Sequence, residues 1–148
     1  MKKALYILTV TFFVSTASTV FAGDRIGDFA LIDNQGTQHH MAWYADQNAV
    51  VILPQANGTT DASALSDLED LKGSYADQGV VFFLINPGME TDREAVSQDL
   101  ASMGVELPVL MDDAQLVSEA LGFTRFDEAV VYNPKSFELI YRLSLIHI

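Results

Sequence analysis

Short apolar runs alternate with amphipathic segments along most of the chain. The apolar runs are four to six residues long and rich in Val, Ile, Leu and Phe, which is typical of buried strands. Two less apolar stretches follow turn signals, Asp33-Asn34-Gln35-Gly36 and Asn133-Pro134-Lys135-Ser136, and are expected to return as hairpin partners. The predicted strands cover residues 29–32, 37–41, 49–53, 80–85, 107–111, 129–132 and 138–141.

The segments between these runs predict three helices, over residues 61–78, 91–103 and 114–121. In the first, leucines recur at helical spacing, and Thr60 or Asp61 can cap the N-terminus. The second begins with Thr91 followed three residues later by Glu94, which fits a capping box. Asp113 is expected to cap the third helix.

The order of these elements predicts one α/β domain. A hairpin comes first, strands and helices then alternate, and a second hairpin closes the chain. Strands that alternate with helices imply right-handed crossovers and a central, largely parallel sheet flanked by helices. A further helix is expected after the last hairpin to cover one face of the sheet, so the domain is interpreted as truncated at the C-terminus.

The N-terminal segment has the pattern of a secretory signal peptide. Residues 1–3 are basic at two positions, residues 4–14 are apolar, and Val20-Phe21-Ala22 offers small residues before a cleavage point. Cleavage after Ala22 and export to the periplasm or the exterior are therefore expected. The alternative is an uncleaved membrane anchor, for which the segment is only just long enough.

The last six residues, 143–148, match the translation of a transposase adapter used in DNA library preparation. We interpret them as a non-native tail, so the domain covers residues 23–142 and Arg142 is the last native residue. The alternative is a natural apolar tail. Under the first interpretation the domain is part of a longer exported protein.

Charge and composition exclude several classes of function. The formal net charge is −12, and residues 1–22 contain Lys2 and Lys3 but no acidic residue, so cleavage makes the charge more negative. Such a surface repels nucleic acid and anionic membranes. The chain has no cysteine, so it has neither disulfides nor a thiol for redox chemistry. No phosphate-binding loop, dinucleotide fingerprint or zinc-ligand spacing is present, and no cofactor is expected.

Five phrases, in order, resemble the redoxin branch of the thioredoxin-like fold, the alkyl hydroperoxide reductase and thiol-specific antioxidant family. They are residues 27–36, 50–58, 79–86, 108–112 and 138–142. The resemblance spans residues 23–142 and implies a thioredoxin-like fold with an N-terminal hairpin. It also implies thiol redox chemistry where the first crossover helix begins, because a helix N-terminus favours a thiolate.

The redox positions that this resemblance assigns are degenerate. Thr59 stands at the position of the reactive cysteine and Ala62 at that of the second cysteine. The region that would hold a cis-proline, residues 125–129, has no proline and carries Asp127. A threonine hydroxyl is not a nucleophile at neutral pH without a strong base beside it. Thr59 and Thr60 are therefore interpreted as helix-capping residues.

His39-His40-Met41 is a weak candidate for a copper site, because imidazole and thioether are copper ligands. In a strand, however, adjacent histidines point to opposite faces. The preferred interpretation is that these are solvated hairpin residues.

Two functional hypotheses remain open. In the first, the chain is an exported redoxin-like domain without thiol redox activity that binds or scaffolds an unknown protein partner in the periplasm. In the second, descent from the family makes it a peroxiredoxin-like thiol oxidoreductase.

Overall fold

A computed structural model describes residues 23–144 as a seven-stranded mixed sheet flanked by helices. The strands lie in the order β2-β1-β5-β4-β3-β6-β7. Their bounds are β1 (Ala30–Asp33), β2 (Gln38–His40), β3 (Ala49–Pro54), β4 (Val80–Asn86), β5 (Val109–Met111), β6 (Glu128–Asn133) and β7 (Glu138–Ser144). The helices are α1 (Ala62–Tyr75), α2 (Arg93–Ser102) and α3 (Leu116–Ala120), with 3-10 turns at Met41–Tyr44 and Ala76–Gln78.

The centre of the sheet is parallel and its margins are antiparallel. β3 pairs with β4 and β4 with β5 in parallel register, through the crossovers that α1 and α2 provide. The hairpin of β1 and β2 adds to β5, and the hairpin of β6 and β7 adds to β3, all antiparallel. The α/β mixed-sheet prediction is therefore confirmed.

Side chains of the central strands alternate between two cores, as the two-residue period of a strand requires. Val51 and Leu53 face α1 and α2 in one buried cluster. Val50 and Ile52 face the opposite side, where they join Phe83 and others in a second cluster. The apolar runs of β3 and β4 are continuous because both faces of these strands are buried.

Capping of α1 and α2 differs in detail from the sequence prediction. Asp61 caps α1, since its Oδ1 accepts a hydrogen bond from the Ser63 N–H at 2.9 Å. Asp92 rather than Thr91 caps α2, accepting from the Glu94 N–H at 3.0 Å. The capping box was therefore placed one residue too early, because a carboxylate next to the threonine takes the capping position.

The prediction that Asp113 caps the third helix is wrong. Asp113 is exposed, and α3 begins at Leu116 after Gln115, which has a positive φ of 61° and no capping side chain. The buried Asp112 stabilises the helix start instead. Its carboxylate accepts from the Ser118 N–H at 2.7 Å and from the Val117 N–H at 3.4 Å.

Strand β7 extends beyond Arg142, since Leu143 lies opposite Ala129 and Ser144 opposite Glu128. Leu143 also packs against the first core cluster. The interpretation of residues 143–148 as a non-native tail stays a prediction. The signal peptide over residues 1–22 and the end of the tail, residues 145–148, lie outside the described residues.

Within residues 23–144, no helix combines the length and apolar character needed to span a membrane.

Candidate functional site

The carboxyl ends of the three parallel strands meet at one edge of the sheet, where buried polar residues follow or end each strand. Gln55 comes directly after β3, Asn86 ends β4, and Asp112 comes directly after β5. The Gln55 N–H donates to the Ile85 carbonyl at 2.8 Å, and the Asp112 N–H donates to the Asn86 carbonyl at 3.0 Å. Ligands of open α/β sheets bind outside this edge, so the edge is a candidate binding site.

The loop between β3 and α1 is closed by a threonine. Thr60 Oγ1 accepts from the Ala56 N–H at 2.9 Å and donates back to the Ala56 carbonyl at 3.3 Å. The interpretation of Thr59 and Thr60 as helix-capping residues is therefore wrong, because Thr60 closes the loop and Asp61 caps the helix. The hydroxyl of Thr59 reaches only the Asn57 carbonyl, at 3.5 Å.

Neither position assigned to a redox cysteine carries a reactive group. Thr59 lies in a turn two residues before the cap, and Ala62 is the first residue of α1 and is exposed. Asp61 lies between them, and hydrogen bonding to Ser63 lowers the pKa of its carboxyl group. This negative charge occupies the end of the helix that would otherwise favour an anion.

A cleft of about 200 Å³ opens at this edge of the sheet, between the ends of β3 and β4, α3 and the α3–β6 connection. Pro54, Pro87 and Phe123 contribute apolar walls. Ser118 lines the cleft with a buried hydroxyl that has no hydrogen-bond partner among the described residues. The cleft therefore combines apolar walls with one buried hydroxyl, and ligand sites usually combine an apolar lining with a few polar groups.

Asp127 orients an arginine at the rim of this cleft. The Arg125 guanidinium donates to Asp127 through Nε at 2.9 Å and Nη2 at 2.7 Å, a bidentate pair. Arg125 lines the cleft, whereas Asp127 fixes its position. The place that the family resemblance gives to a proline thus carries an exposed ion pair, which contributes little to stability.

His39, His40 and Met41 do not converge. His39 Nε2 lies 2.8 Å from Asp33 Oδ2, His40 Nδ1 lies 3.2 Å from Asp28 Oδ2, and Met41 is fully buried in the second core cluster. The expectation of solvated residues is wrong for His39, whose side chain is 13% exposed, and for Met41. Residues 23–144 contain no group of three or more His, Asp or Glu side chains placed to hold a metal ion.

Two features of these regions were missed by reasoning from the sequence. Ser118 falls among apolar and acidic residues of a short helix, and no pattern distinguishes a buried serine there. Tyr44 also contacts His39, with its hydroxyl 2.6 Å from Nδ1. The spacing of Asp33, His39 and Tyr44 follows no motif, because a hairpin and a 3-10 turn bring the three residues together.

Comparison with known proteins rests on structure, since no protein-family model and no curated protein sequence matches the chain. The thioredoxin domain of a thiol-disulfide oxidoreductase from Bacteroides vulgatus aligns with a TM-score of 0.68 and 13% identity, over 82% of this chain and 88% of that one. Peroxidoxin BcpB from Mycobacterium tuberculosis aligns with a TM-score of 0.66 and 18% identity, over 84% and 85%. This chain has a thioredoxin-like fold.

A hypothetical protein from Sinorhizobium meliloti 1021 shares this thioredoxin-like fold, with a TM-score of 0.65, 25% identity and coverage of 81% of this chain and 68% of that one. The resemblance to thioredoxin-like redoxins is thereby confirmed at the level of the fold. Two of these neighbours are named as an oxidoreductase and a peroxidoxin, whereas this chain has no cysteine.

Proposed function

We propose that this chain is an exported thioredoxin-like domain that binds an extended segment of a protein partner and performs no thiol chemistry of its own. The absence of cysteine carries the proposal, because the reactive groups are missing while a cleft lies at the same edge of the sheet and reaches Pro54, the last residue of β3. Export rests on the signal-like pattern of residues 1–22, and the periplasm is the proposed location.

The residues at the two redox positions support a role without thiol catalysis. Thr59 has an ordinary hydroxyl whose only hydrogen-bond partner among the described residues is the Asn57 carbonyl, so no base activates it. The methyl group of Ala62 has no reactive chemistry. The Asp61 carboxylate would also oppose a thiolate or another anion at this helix end.

The surroundings of the cleft support a polypeptide ligand. Pro87 and Gln115 line the cleft, and each is followed within two residues by an exposed large apolar side chain, Met89 and Leu116. Exposed apolar residues beside a cleft with apolar walls suit a ligand that offers apolar side chains. The acidic surface excludes nucleic acid as the partner.

The alternative is a peroxiredoxin-like thiol oxidoreductase, which the structural likeness to peroxidoxin BcpB favours. A peroxide-consumption assay with a thiol donor separates the two functions. We expect no turnover above a heat-inactivated control, and measurable turnover would refute the proposal. The double variant Thr59→Cys/Ala62→Cys is the positive control for this assay, since it introduces a thiol at both positions of the same fold.

Binding at the cleft is tested with unfolded peptides of varied sequence, titrated into the isotope-labelled chain and followed by NMR. We expect chemical-shift changes at Ser118, Thr124 and Phe126, which line the cleft. Thr124→Arg should block the cleft and remove these changes, whereas Gln98→Arg, an exposed change on α2, should leave them intact. Equal binding by the two variants would place the ligand elsewhere.

A further inference from the structure

The N-terminal hairpin holds three polar side chains in a line. The ring of His39 lies between Asp33 and Tyr44, with Nε2 2.8 Å from Asp33 Oδ2 and Nδ1 2.6 Å from the Tyr44 hydroxyl. Asp33 is buried, and its Oδ1 also accepts from the N–H groups of Gln35 and Thr37 at 2.9 and 2.8 Å. The hairpin turn thus fixes the carboxylate, and the carboxylate fixes the imidazole.

The positions of the protons follow from the partners. A carboxylate can only accept, so His39 Nε2 carries a hydrogen and donates it to Asp33. In the neutral ring, Nδ1 then has a free lone pair and accepts the phenolic hydrogen of Tyr44. The Tyr44 phenol is therefore hydrogen-bonded to Nδ1 of His39, and Nε2 of the same ring faces the Asp33 carboxylate.

Aromatic packing holds this arrangement in place. Phe83 of β4 meets the His39 ring edge-on at 4.8 Å between centroids and the Tyr44 ring at 5.5 Å. Burial, followed by the Asp33 charge, raises the pKa of Tyr44, so the phenol keeps its hydrogen in the resting protein. Neither His39 nor Tyr44 lines the cleft at the carboxyl end of the strands, so ligand binding in that cleft does not account for their arrangement.

We propose that Tyr44 is a site of reversible one-electron oxidation, with His39 as the acceptor of its proton. A one-electron oxidant of higher potential, such as an oxidised metal complex or an organic radical, takes an electron from the phenol. The O–H bond of Tyr44 breaks as an N–H bond forms at His39 Nδ1, which leaves a neutral tyrosyl radical and an imidazolium beside the Asp33 carboxylate. An electron donor reverses the step, and the proton returns to the oxygen.

The other tyrosines of residues 23–144 lack such a base. The Tyr132 hydroxyl donates to the Gly27 carbonyl at 2.8 Å, and a carbonyl oxygen is a very weak base. Tyr75 and Tyr141 are exposed and have no imidazole or carboxylate within hydrogen-bond distance among the described side chains. Loss of the phenolic proton during oxidation is therefore assisted at Tyr44 alone within this part of the chain.

The experiment uses the whole chain with a photo-oxidised ruthenium polypyridyl complex, limiting in amount, and electron paramagnetic resonance of frozen samples. A Trp43→Phe background removes the exposed indole next to Tyr44. We expect a tyrosyl radical signal that Tyr44→Phe abolishes and that Tyr6→Phe, Tyr75→Phe and Tyr141→Phe leave intact. A signal that persists in Tyr44→Phe would overturn the proposal.

His39→Gln tests the role of the imidazole, since glutamine keeps a donor and an acceptor but has no basic nitrogen. The rate of Tyr44 oxidation is expected to fall by roughly 100-fold, the lower range for loss of a positioned base. A rate equal to that of the parent would refute proton transfer to His39. Where this variant does not fold, the parent is measured in deuterated water, and equal rates in the two solvents would refute it as well.

Discussion

Two regions of this domain, the cleft at the carboxyl end of the strands and the N-terminal hairpin, each have some of the features of an active site. At the carboxyl end of the parallel strands, a cleft of about 200 Å³ is lined by Ser118, whose hydroxyl has no hydrogen-bond partner among the described residues. The positions that the family resemblance assigns to redox cysteines are Thr59 and Ala62. In the N-terminal hairpin, the buried Asp33 and the partly buried His39 and Tyr44 form a hydrogen-bonded line, and none of the three lines that cleft. The cleft has apolar walls with Glu119 and Arg125 in its lining. The hairpin instead holds a carboxylate, an imidazole and a phenol in one hydrogen-bonded line.

The difference shows that the position of a cleft depends on the fold, whereas the chemistry depends on single side chains. Strand ends and helix starts place the cleft, and these follow from apolar patterns that many sequences satisfy. Reactive side chains are single residues, and each can be exchanged without loss of the fold. Function in this domain must therefore be argued separately for each region.

The largest expected effect is on the hairpin side and comes from Phe83→Ala. Phe83 is buried and packs against both His39 and Tyr44. Its truncation leaves a cavity, so we expect a loss of about 3–5 kcal/mol in the free energy of unfolding, measured by urea denaturation. The exposed Trp43 is the control, and Trp43→Ala should change the free energy by less than about 0.5 kcal/mol.

The next effect is on the cleft side, where Asp112→Ala and Asp113→Ala form a matched pair. The buried Asp112 holds the first turn of α3, which carries Ser118 into the cleft, whereas Asp113 is exposed. Loss of hydrogen bonds to a charged group should cost about 2 kcal/mol for Asp112→Ala. Asp113→Ala should stay within about 0.5 kcal/mol. Equal costs would show that the start of α3 is held by other contacts.

Most of the fold could be predicted from the sequence because its strands are buried on both faces. Continuous apolar runs at β3 and β4, separated by segments with helical periodicity, leave few alternatives to a parallel centre. The weaker elements were misplaced at their ends. Asp92 and Asp112 took roles that Thr91 and Asp113 were expected to have, since neighbouring carboxylates satisfy similar local rules and only packing chooses between them.

The candidate sites were harder to predict, for a physical reason. The family resemblance assigns redox positions next to a strand and a helix start with clear patterns, and that assignment stays a prediction. The burial of His39 could not be read from its strand, since it depends on Phe83 of another strand and on a 3-10 turn that brings Tyr44 back. Contacts between distant segments carry no periodic signal in the sequence.

A smaller effect is expected from Tyr132→Phe. This variant keeps the packing of the Tyr132 ring and removes the hydrogen bond of its hydroxyl. The ring of Tyr132 packs on Phe29 at 5.6 Å, and its hydroxyl donates to Gly27. Removing the hydroxyl should cost about 1 kcal/mol near neutral pH. A cost below the error of a urea denaturation curve would assign the contribution of Tyr132 to packing alone.

The same variant has a signature in alkali. Burial, and then the Asp28 charge, raises the pKa of Tyr132 in the folded protein. Ionisation therefore favours the unfolded chain, and the contribution of Tyr132 is present below the ordinary tyrosine pKa near about 10 and is lost as the pH rises above it. The stability difference between the parent and Tyr132→Phe should shrink from about pH 10 upwards. A difference that stays constant would contradict the raised pKa.

The smallest effect concerns Asp61, the charge at the helix end where the family resemblance places a thiol. Hydrogen bonding to Ser63 lowers the pKa of this carboxyl group, so its contribution to stability is present above the ordinary aspartate pKa of about 4 and is lost as the pH falls below it. Asp61→Asn keeps a capping oxygen, so the two proteins should be nearly equally stable at pH 7. Below about pH 4 the parent should lose stability relative to the variant.

Urea denaturation at a series of pH values from neutral to acid measures this difference, with Thr59→Ala as the control that leaves the cap in place. A constant difference between the parent and Asp61→Asn would mean that the carboxylate gains nothing from the helix end. The N-terminus of α1 would then be able to bind another anion, because the Asp61 charge would not occupy it. A difference that grows in acid, together with a flat Thr59→Ala control, would show that the negative charge of Asp61 is favoured at the start of α1 in the folded protein.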